Sequence, residues 1–467
     1  MRGLTAAGLY LPRYRLSAEE LEDAWGTTHA TGIDQKAVPN ADEDALTMAT
    51  AASERALGAA EVGRDSISLL AVATTTPPLE ESDVTGRLVR TLGLSTDVRT
   101  VASTQHTAAG ADVLASALDA DGPALVAVAD CPEGEPADED HSLGAGAAAF
   151  VVDEDPAVEI REIGWHADEA PGVRFRRRGE GAVESLGITT FERDVVRDAI
   201  TGAAADLDGV DSVDRAAVHQ PNGKLPYRIV GDLPVDNEAV HAGMVVDRIG
   251  DAGAATVPIG LLSALAAADG ERSLAAFFGG GTAAAFVCEG GLPVAGIDDL
   301  EDGTELSYAD YLRERGYVVS GEVAGGGANV SLPNWRRSLD QRYRLVAGRC
   351  PECGAVSFPP DGACQSCHAR VDFERFEASQ RGTILALTTI GQGGAPPEFA
   401  EQQQRDGAYG VAIVELGDGR DAIQLPGQLT DADLDDASVG DEVRATIRRI
   451  YVQEGIPRYG VKFTLDG

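Results

Sequence analysis

Lysine is almost absent from this chain. Three occur in 467 residues, Lys36, Lys224 and Lys462, and every other strong cation is an arginine. Basic residues number 38 against 76 acidic ones, a formal net charge of −38. A surface this negative offers no seat for a phosphate backbone, which excludes nucleic acid as the expected partner. No run of 18 apolar residues occurs, and no apolar leader core follows the N-terminus. Neither membrane spanning nor secretion is expected. Cysteine is scarce at six, and four of the six fall in two C-x-x-C pairs. That spacing excludes a disulfide framework and reads as a metal site in a reducing compartment. Aromatics make up only 5 % of the residues, while Ala and Gly are abundant, so helices should pack closely through small side chains.

An acid-rich, lysine-poor surface repels itself in dilute salt and is screened in concentrated salt. The composition resembles that of cytosolic proteins of extreme halophiles, and a high-salt cytosol is the expected compartment. The length calls for two or three folded units. Strands and helices alternate from the start. LTAAGLYL opens as a strand, and Ser17 and Glu20 form a capping-box pattern before ELEDAW. DEDALTMATAASERALGAA (42–60) reads as an amphipathic helix with acids in its first turn. SISLLAVAT, PALVAVAD and GAGAAAFVVD are buried-strand runs, with ADVLASAL as a helix between the first two. After about residue 165 the pattern begins again, with helices at FERDVVRDAITGAAADL and ATVPIGLLSALAAA and paired strands around FFGGGTAAAFV. The fold expected is α/β with an internal duplication, in halves 1–165 and 166–319. A Gly-rich linker follows at 320–334. NWRRSLDQRYRLV reads as an amphipathic helix leading into the cysteine pairs (335–372), and residues 373–467 alternate short β-rich runs with turns, the pattern of a small barrel.

CPEC (350–353) and CQSC (364–367) lie ten residues apart. Two such knuckles supply four sulfurs to a tetrahedral zinc and leave no open position, so Cys350, Cys353, Cys364 and Cys367 are expected to hold a structural zinc. His368 is read as a solvent-facing neighbour. The run LVAGRCPECGAVSFPP, set between helix and barrel, resembles the zinc-ribbon OB-fold domain found with acyl-CoA thiolases and hydroxymethylglutaryl-CoA synthases. The resemblance covers about 332–467 and implies contact with CoA and with condensing enzymes.

GLYLPRYRLSAEELEDAWG, VPNADEDALTMA, HQPNGKLP and FFGGGTAAAFV resemble the thiolase superfamily, and within it the archaeal-type hydroxymethylglutaryl-CoA synthases. DAGAATVP also resembles a loop of β-ketoacyl synthase III enzymes. The resemblance implies duplicated αβαβα layers, CoA as ligand, and three working groups: a cysteine thiolate that takes the acyl group, a histidine near the acceptor carbonyl, and a glutamate that moves the proton. His219 in HQPNGK fits the histidine. Lys224 and Asn222 fall on the CoA side, and Gly280 in the GGG run is placed at the site floor. The cysteine is missing: the position falls on Thr107, and no cysteine is nearer in sequence than Cys131. The glutamate is missing too, with Thr75 in its place and Glu80 and Glu81 close by. Asp251 stands where the relatives carry asparagine, and an ionised aspartate cannot donate to an oxyanion.

The function expected is therefore a synthase-like protein that binds CoA or acyl-CoA without cysteine-dependent condensation, as a homodimer or with a partner thiolase or active synthase. Two alternatives stand beside it. One is an atypical condensing enzyme using Thr107, or His219 and Asp251 as an acid–base pair. The other is an interaction subunit with no small-molecule site.

Overall fold

The computed structural model describes residues 2–318, 331–391 and 399–466. The Gly-rich segment read as a linker lies outside them except for 331–334, whose Leu332 opens a short helix. Two compact units divide the chain. The first comprises Met1–Pro39 and Glu43–Tyr311, the second Asn40–Asp42 and Leu312–Gly467.

In the first unit, β1 (Arg2–Tyr10) precedes α1 (Ala18–Trp25) and α2 (Ala45–Ala59). Then come β2 (Leu69–Ala73), β3 (Arg99–Ser103), α3 (Ala109–Leu118), β4 (Ala124–Asp130) and β5 (Gly146–Glu154). The second half runs β6 (Val158–Ala167), α4 (Thr189–Ala204), β7 (Arg215–Val218), α5 (Thr256–Ala266), β8 (Arg272–Gly279) and β9 (Thr282–Gly290). The strand order is β3-β2-β4-β5-β1-β6-β9-β8-β7, and along this path the two halves join through two residue pairs of β1 and β6, while Val294–Ala295 also pairs with β1. Each half repeats one arrangement. β2-β4-β5-β1 is matched by β7-β8-β9-β6, with the first pair parallel and the rest antiparallel in both. A duplicated chain folds each copy by the same local rules, so the topology repeats even where the residues no longer match.

The layers follow from burial. α2 lies on β1, β4 and β5, and α4 on β6 and β9, while α3 and α5 each touch strands of both halves. α2 and α4 therefore each cover strands of one half, and α3 and α5 pack between the two halves of the sheet. α5 is apolar along its length, with nine of eleven residues buried. α3 presents Gly110 to Pro258 of α5: a Cβ there would stand 3.1 Å from the proline ring. The small residues of α3 allow this close approach.

Two expectations need correcting here. α2 is not amphipathic, since ten of its fifteen residues are buried. Its acids precede the helix: Asp44 is the cap, accepting from Leu46 and Thr47 backbone N–H groups, and Thr47 completes the box. The capping box at α1 is half-made. The Ser17 hydroxyl accepts from Glu20 N at 3.2 Å, but the Glu20 carboxylate turns away to accept from Tyr308 N.

In the second unit the amphipathic segment before the cysteines is two short helices, Leu332–Arg337 and Leu339–Arg344, broken at Ser338. A three-stranded ribbon carries the cysteines. A five-stranded antiparallel sheet follows, built from β10 (Arg381–Ile390), β11 (Tyr409–Leu416), β12 (Ile423–Gln428), β13 (Glu442–Gln453) and β14 (Ile456–Leu465), in the order β12-β11-β10-β13-β14.

Candidate active site and zinc ribbon

Thr107 sits in the turn that leads into α3 and is 6 % exposed. Its hydroxyl donates to the carbonyl of Phe278 at 2.7 Å. The hydroxyl proton is therefore engaged by a backbone oxygen, not by a base. Gly279, the end of β8, permits this approach: a Cβ would lie 2.6 Å from Thr107 N. Gly279, rather than Gly280, is the glycine against the site. Gly280 and Gly281, at φ 61° and 93°, form the two-residue turn between β8 and β9, a conformation that glycine adopts without strain.

His219 follows β7, its backbone N–H bonded to Ala276 of β8 at 2.8 Å. The imidazole packs against Phe278 with 5.4 Å between ring centres, so β8 links Thr107 and His219. Burial pushes the imidazole pKa down to about 4, Asp251 opposing the shift and Arg174 adding to it. The ring is thus neutral near pH 7. His106 does not face Thr107 as a base; its Nε2 lies 3.3 Å from the Asp112 carboxylate. No hydrogen bond joins the His219 imidazole to a thiol among the described residues. Cys288 is buried in the core, its thiol pushed up to about 12 by desolvation.

Asp251 is held at its backbone and at both carboxylate oxygens. Its backbone is clamped between Ser142 O and Gly144 N, at 2.7 and 3.0 Å. Its Oδ1 accepts from Gly253 N and the Thr256 hydroxyl, and its Oδ2 accepts from Arg174 Nη1. Asp251 pairs with Arg174, and no hydrogen bond joins its carboxylate to His219 among the described residues.

Thr75 is buried against Asp130 at the end of β4. The Asp130 carboxylate is fully buried and accepts six hydrogen bonds, from the hydroxyls of Thr74, Thr75 and Thr76 and the backbone N–H groups of Thr75, Thr76 and Ala254. The Thr75 carbonyl accepts from Arg176. Glu80 and Glu81 are exposed. Arg174, Arg176 and Asp130 were not singled out from the sequence. The signals were an arginine run, RFRRR, in an acidic chain, and an acid closing the otherwise apolar strand ALVAVAD.

Lys224, expected to face CoA, is exposed, and its ammonium meets no protein group among the described residues. Asn222 spends its side-chain oxygen on Lys224 N and Leu225 N, both at 3.0 Å, and so shapes the loop. Gln220 is equally committed, accepting from Val245 and Val246 N–H and donating to Gly243 O.

The four cysteine sulfurs lie within 4.8 Å of one another, with Cys350–Cys367 at 3.8 Å and Cys353–Cys364 at 3.6 Å. Zinc–sulfur bonds of about 2.3 Å set the edge of a tetrahedron at about 3.8 Å, so the four thiolates fit zinc. Each knuckle ends in a left-handed residue, Gly354 in one and His368 in the other, whose N–H returns to the first cysteine's carbonyl. His368 is a backbone element of the knuckle with an exposed side chain, and not a ligand.

Comparison with known proteins agrees with this division. Residues 337–374 match a family model described as the ChsH2 rubredoxin-like zinc ribbon domain, and 376–448 match the ChsH2 C-terminal OB-fold domain. A crystal structure of an HMG-CoA synthase complexed with CoA superposes with a TM-score of 0.61 at 17 % identity, covering 71 % of this chain and 94 % of that one. MvaS in complex with 3-hydroxy-3-methylglutaryl coenzyme A gives 0.57 at 20 % identity, over 70 % and 94 %. These share the thiolase-like fold. The hydroxymethylglutaryl-CoA synthase of Methanopyrus kandleri is 29 % identical over 69 % of this chain and 96 % of its own length. That of Pyrobaculum aerophilum is 30 % identical over 67 % of this chain and 97 % of its own. With that identity over nearly the whole of a curated relative, the chain belongs to the hydroxymethylglutaryl-CoA synthase family.

Proposed function

We propose that this protein binds a CoA thioester in its first unit and has given up acyl transfer through a covalent acyl-enzyme. The carrying observation is that the hydroxyl of Thr107, where the resemblance puts the nucleophile, donates to the Phe278 carbonyl. An aliphatic hydroxyl starts several pKa units above a thiol, and without an adjacent base it does not become a nucleophile. Thr75 cannot move a proton as a carboxylate does, and Asp251 is bound to Arg174. The CoA side retains its exposed Lys224, a point charge suited to phosphate. The zinc-ribbon and OB-fold unit acts in handling CoA esters with a partner thiolase or active synthase, and the four cysteines hold one structural zinc. A homodimer or such a heteromer is the proposed assembly, in a high-salt cytosol.

The test is intact mass, calorimetry and turnover on the pure protein in molar KCl with acetyl-CoA and acetoacetyl-CoA. Wild type should bind but form no acetyl adduct and no hydroxymethylglutaryl-CoA. The Thr107→Cys variant should gain the adduct, since a thiol at a helix N-terminus ionises readily, yet still fail to condense for want of a proton-moving group. Condensation by the wild-type protein would overturn the reading.

A further inference from the structure

Four arginines fall within five positions of one strap, Arg174, Arg176, Arg177 and Arg178. The strap is pinned at several points. Phe175 and Glu184 exchange backbone hydrogen bonds at 3.0 and 2.8 Å, Leu186 N reaches Gly172 O, and Val183 N reaches Glu133 O. This fixes the directions of its side chains. Arg177 turns outward to Glu184. Arg174 turns inward to Asp251, and Arg176, though exposed, reaches the Thr75 carbonyl.

Arg174 is partly buried and Arg176 exposed, and both guanidiniums have unused capacity. Arg174 Nη2 is buried and makes no hydrogen bond. Arg176 makes no ion pair among the described residues, in a chain whose carboxylates outnumber its cations two to one. Asp130, which holds Thr75, is already taken up by six hydrogen bonds. A buried donor left without an acceptor is costly, and structures retain few of them unless a ligand or water completes them. The resemblance puts an enzyme carboxylate at position 75. Here that carboxylate is gone and guanidiniums stand beside the place.

On the reading that the site binds a CoA thioester, we propose that the acyl chain of that thioester ends in a carboxylate, gripped by Arg174 and Arg176. Guanidinium forks match carboxylate geometry through paired, charge-assisted hydrogen bonds. A neutral acyl chain would leave Arg174 Nη2 without an acceptor and strip water from Arg176 without replacing it. Partly buried pairing of this kind survives high salt better than surface pairing.

The experiment is calorimetry on the full chain in molar KCl with succinyl-CoA, butyryl-CoA and free CoA. The first two have equal carbon chains and differ in the terminal carboxylate. Succinyl-CoA should bind about tenfold more tightly or better, the size expected of charge-assisted hydrogen bonds. That ratio should collapse toward one in Arg176→Gln. It should collapse too in Arg174→Gln/Asp251→Asn, which removes both charges of the pair and leaves no buried carboxylate alone. Equal binding of the two thioesters, or a ratio that survives both variants, overturns the carboxylate proposal and leaves CoA binding standing. Absence of binding by all three ligands overturns the CoA reading, and this proposal with it.

Discussion

Two of the three lysines are buried, and each has an acid beside it. Lys36 is 1 % exposed and donates to the Asp140 carboxylate at 3.0 Å and to the Tyr311 hydroxyl. Lys462, fully buried, donates to Asp42 at 2.7 Å and to Gln402. The acidic surface has no use for ammonium groups, but a buried carboxylate needs a cation. Asp140 belongs to the same turn as Ser142, whose carbonyl holds Asp251 N, so Lys36 also steadies the candidate site. Lys36→Met should destabilise the first unit by about 3 kcal/mol or more, because it leaves a buried carboxylate without its partner. Denaturant midpoints in molar KCl would measure this, and a near-neutral effect would count against the pairing. His219 supplies a pH dependence. Its folded pKa of about 4 lies below the ordinary 6.5, so between these values the unfolded chain binds a proton that the folded chain does not. Stability should therefore rise with pH across this window and fall on acidification. His219→Gln should flatten the slope between about pH 4 and 6.5, and an unchanged slope would show that the histidine titrates normally.

At the scale of elements, patterning was legible where burial is one-sided or complete. The runs ALVAVAD and AAAFVVD are strands because nothing polar interrupts them, and each was readable as such. α1 and α2 were readable in extent but not in environment. The acids at 42–44 look like a helix's first turn, yet only Asp44 caps it, while Asp42 serves a different unit through Lys462. No local pattern encodes such long-range pairing. The zinc ribbon was fully legible, since two knuckles fix four sulfurs by local geometry alone. Metal removal should unfold this element first: chelation, or Cys353→Ser, should release one zinc per chain and abolish the protected amide protons of 346–377, while those of β4 and β5 persist. Persistence of the ribbon after complete zinc loss would show that it folds without metal.

At the scale of the whole molecule, a net charge of −38 dominates behaviour in solution. Like charges on a compact surface repel, and the Debye length shrinks from about 10 Å at 0.1 M salt to about 3 Å at 1 M. The melting temperature should climb steeply with KCl between these concentrations, and with a sulfate salt compared at equal ionic strength it should climb at least as far. A melting temperature indifferent to salt would show that the acidic surface carries no net repulsion. The duplication also belongs to this scale. β2-β4-β5-β1 and β7-β8-β9-β6 place α3 and α5 between the two halves of the sheet, which puts Thr107, in the turn before α3, next to the strand that carries Phe278.

The sequence by itself determined the family, the repeated α/β halves, the four-sulfur knuckles and the threonines at positions 107 and 75. All of these are written in residue identity and short-range spacing. Tertiary structure alone decided where the Thr107 proton goes, that Asp251 is held by Arg174, and that Arg176 reaches Thr75. Those partners lie 171, 77 and 101 residues apart, and no periodicity or motif carries information over such a distance. Only packing of the strap and β8 against the ends of the strands brings them together.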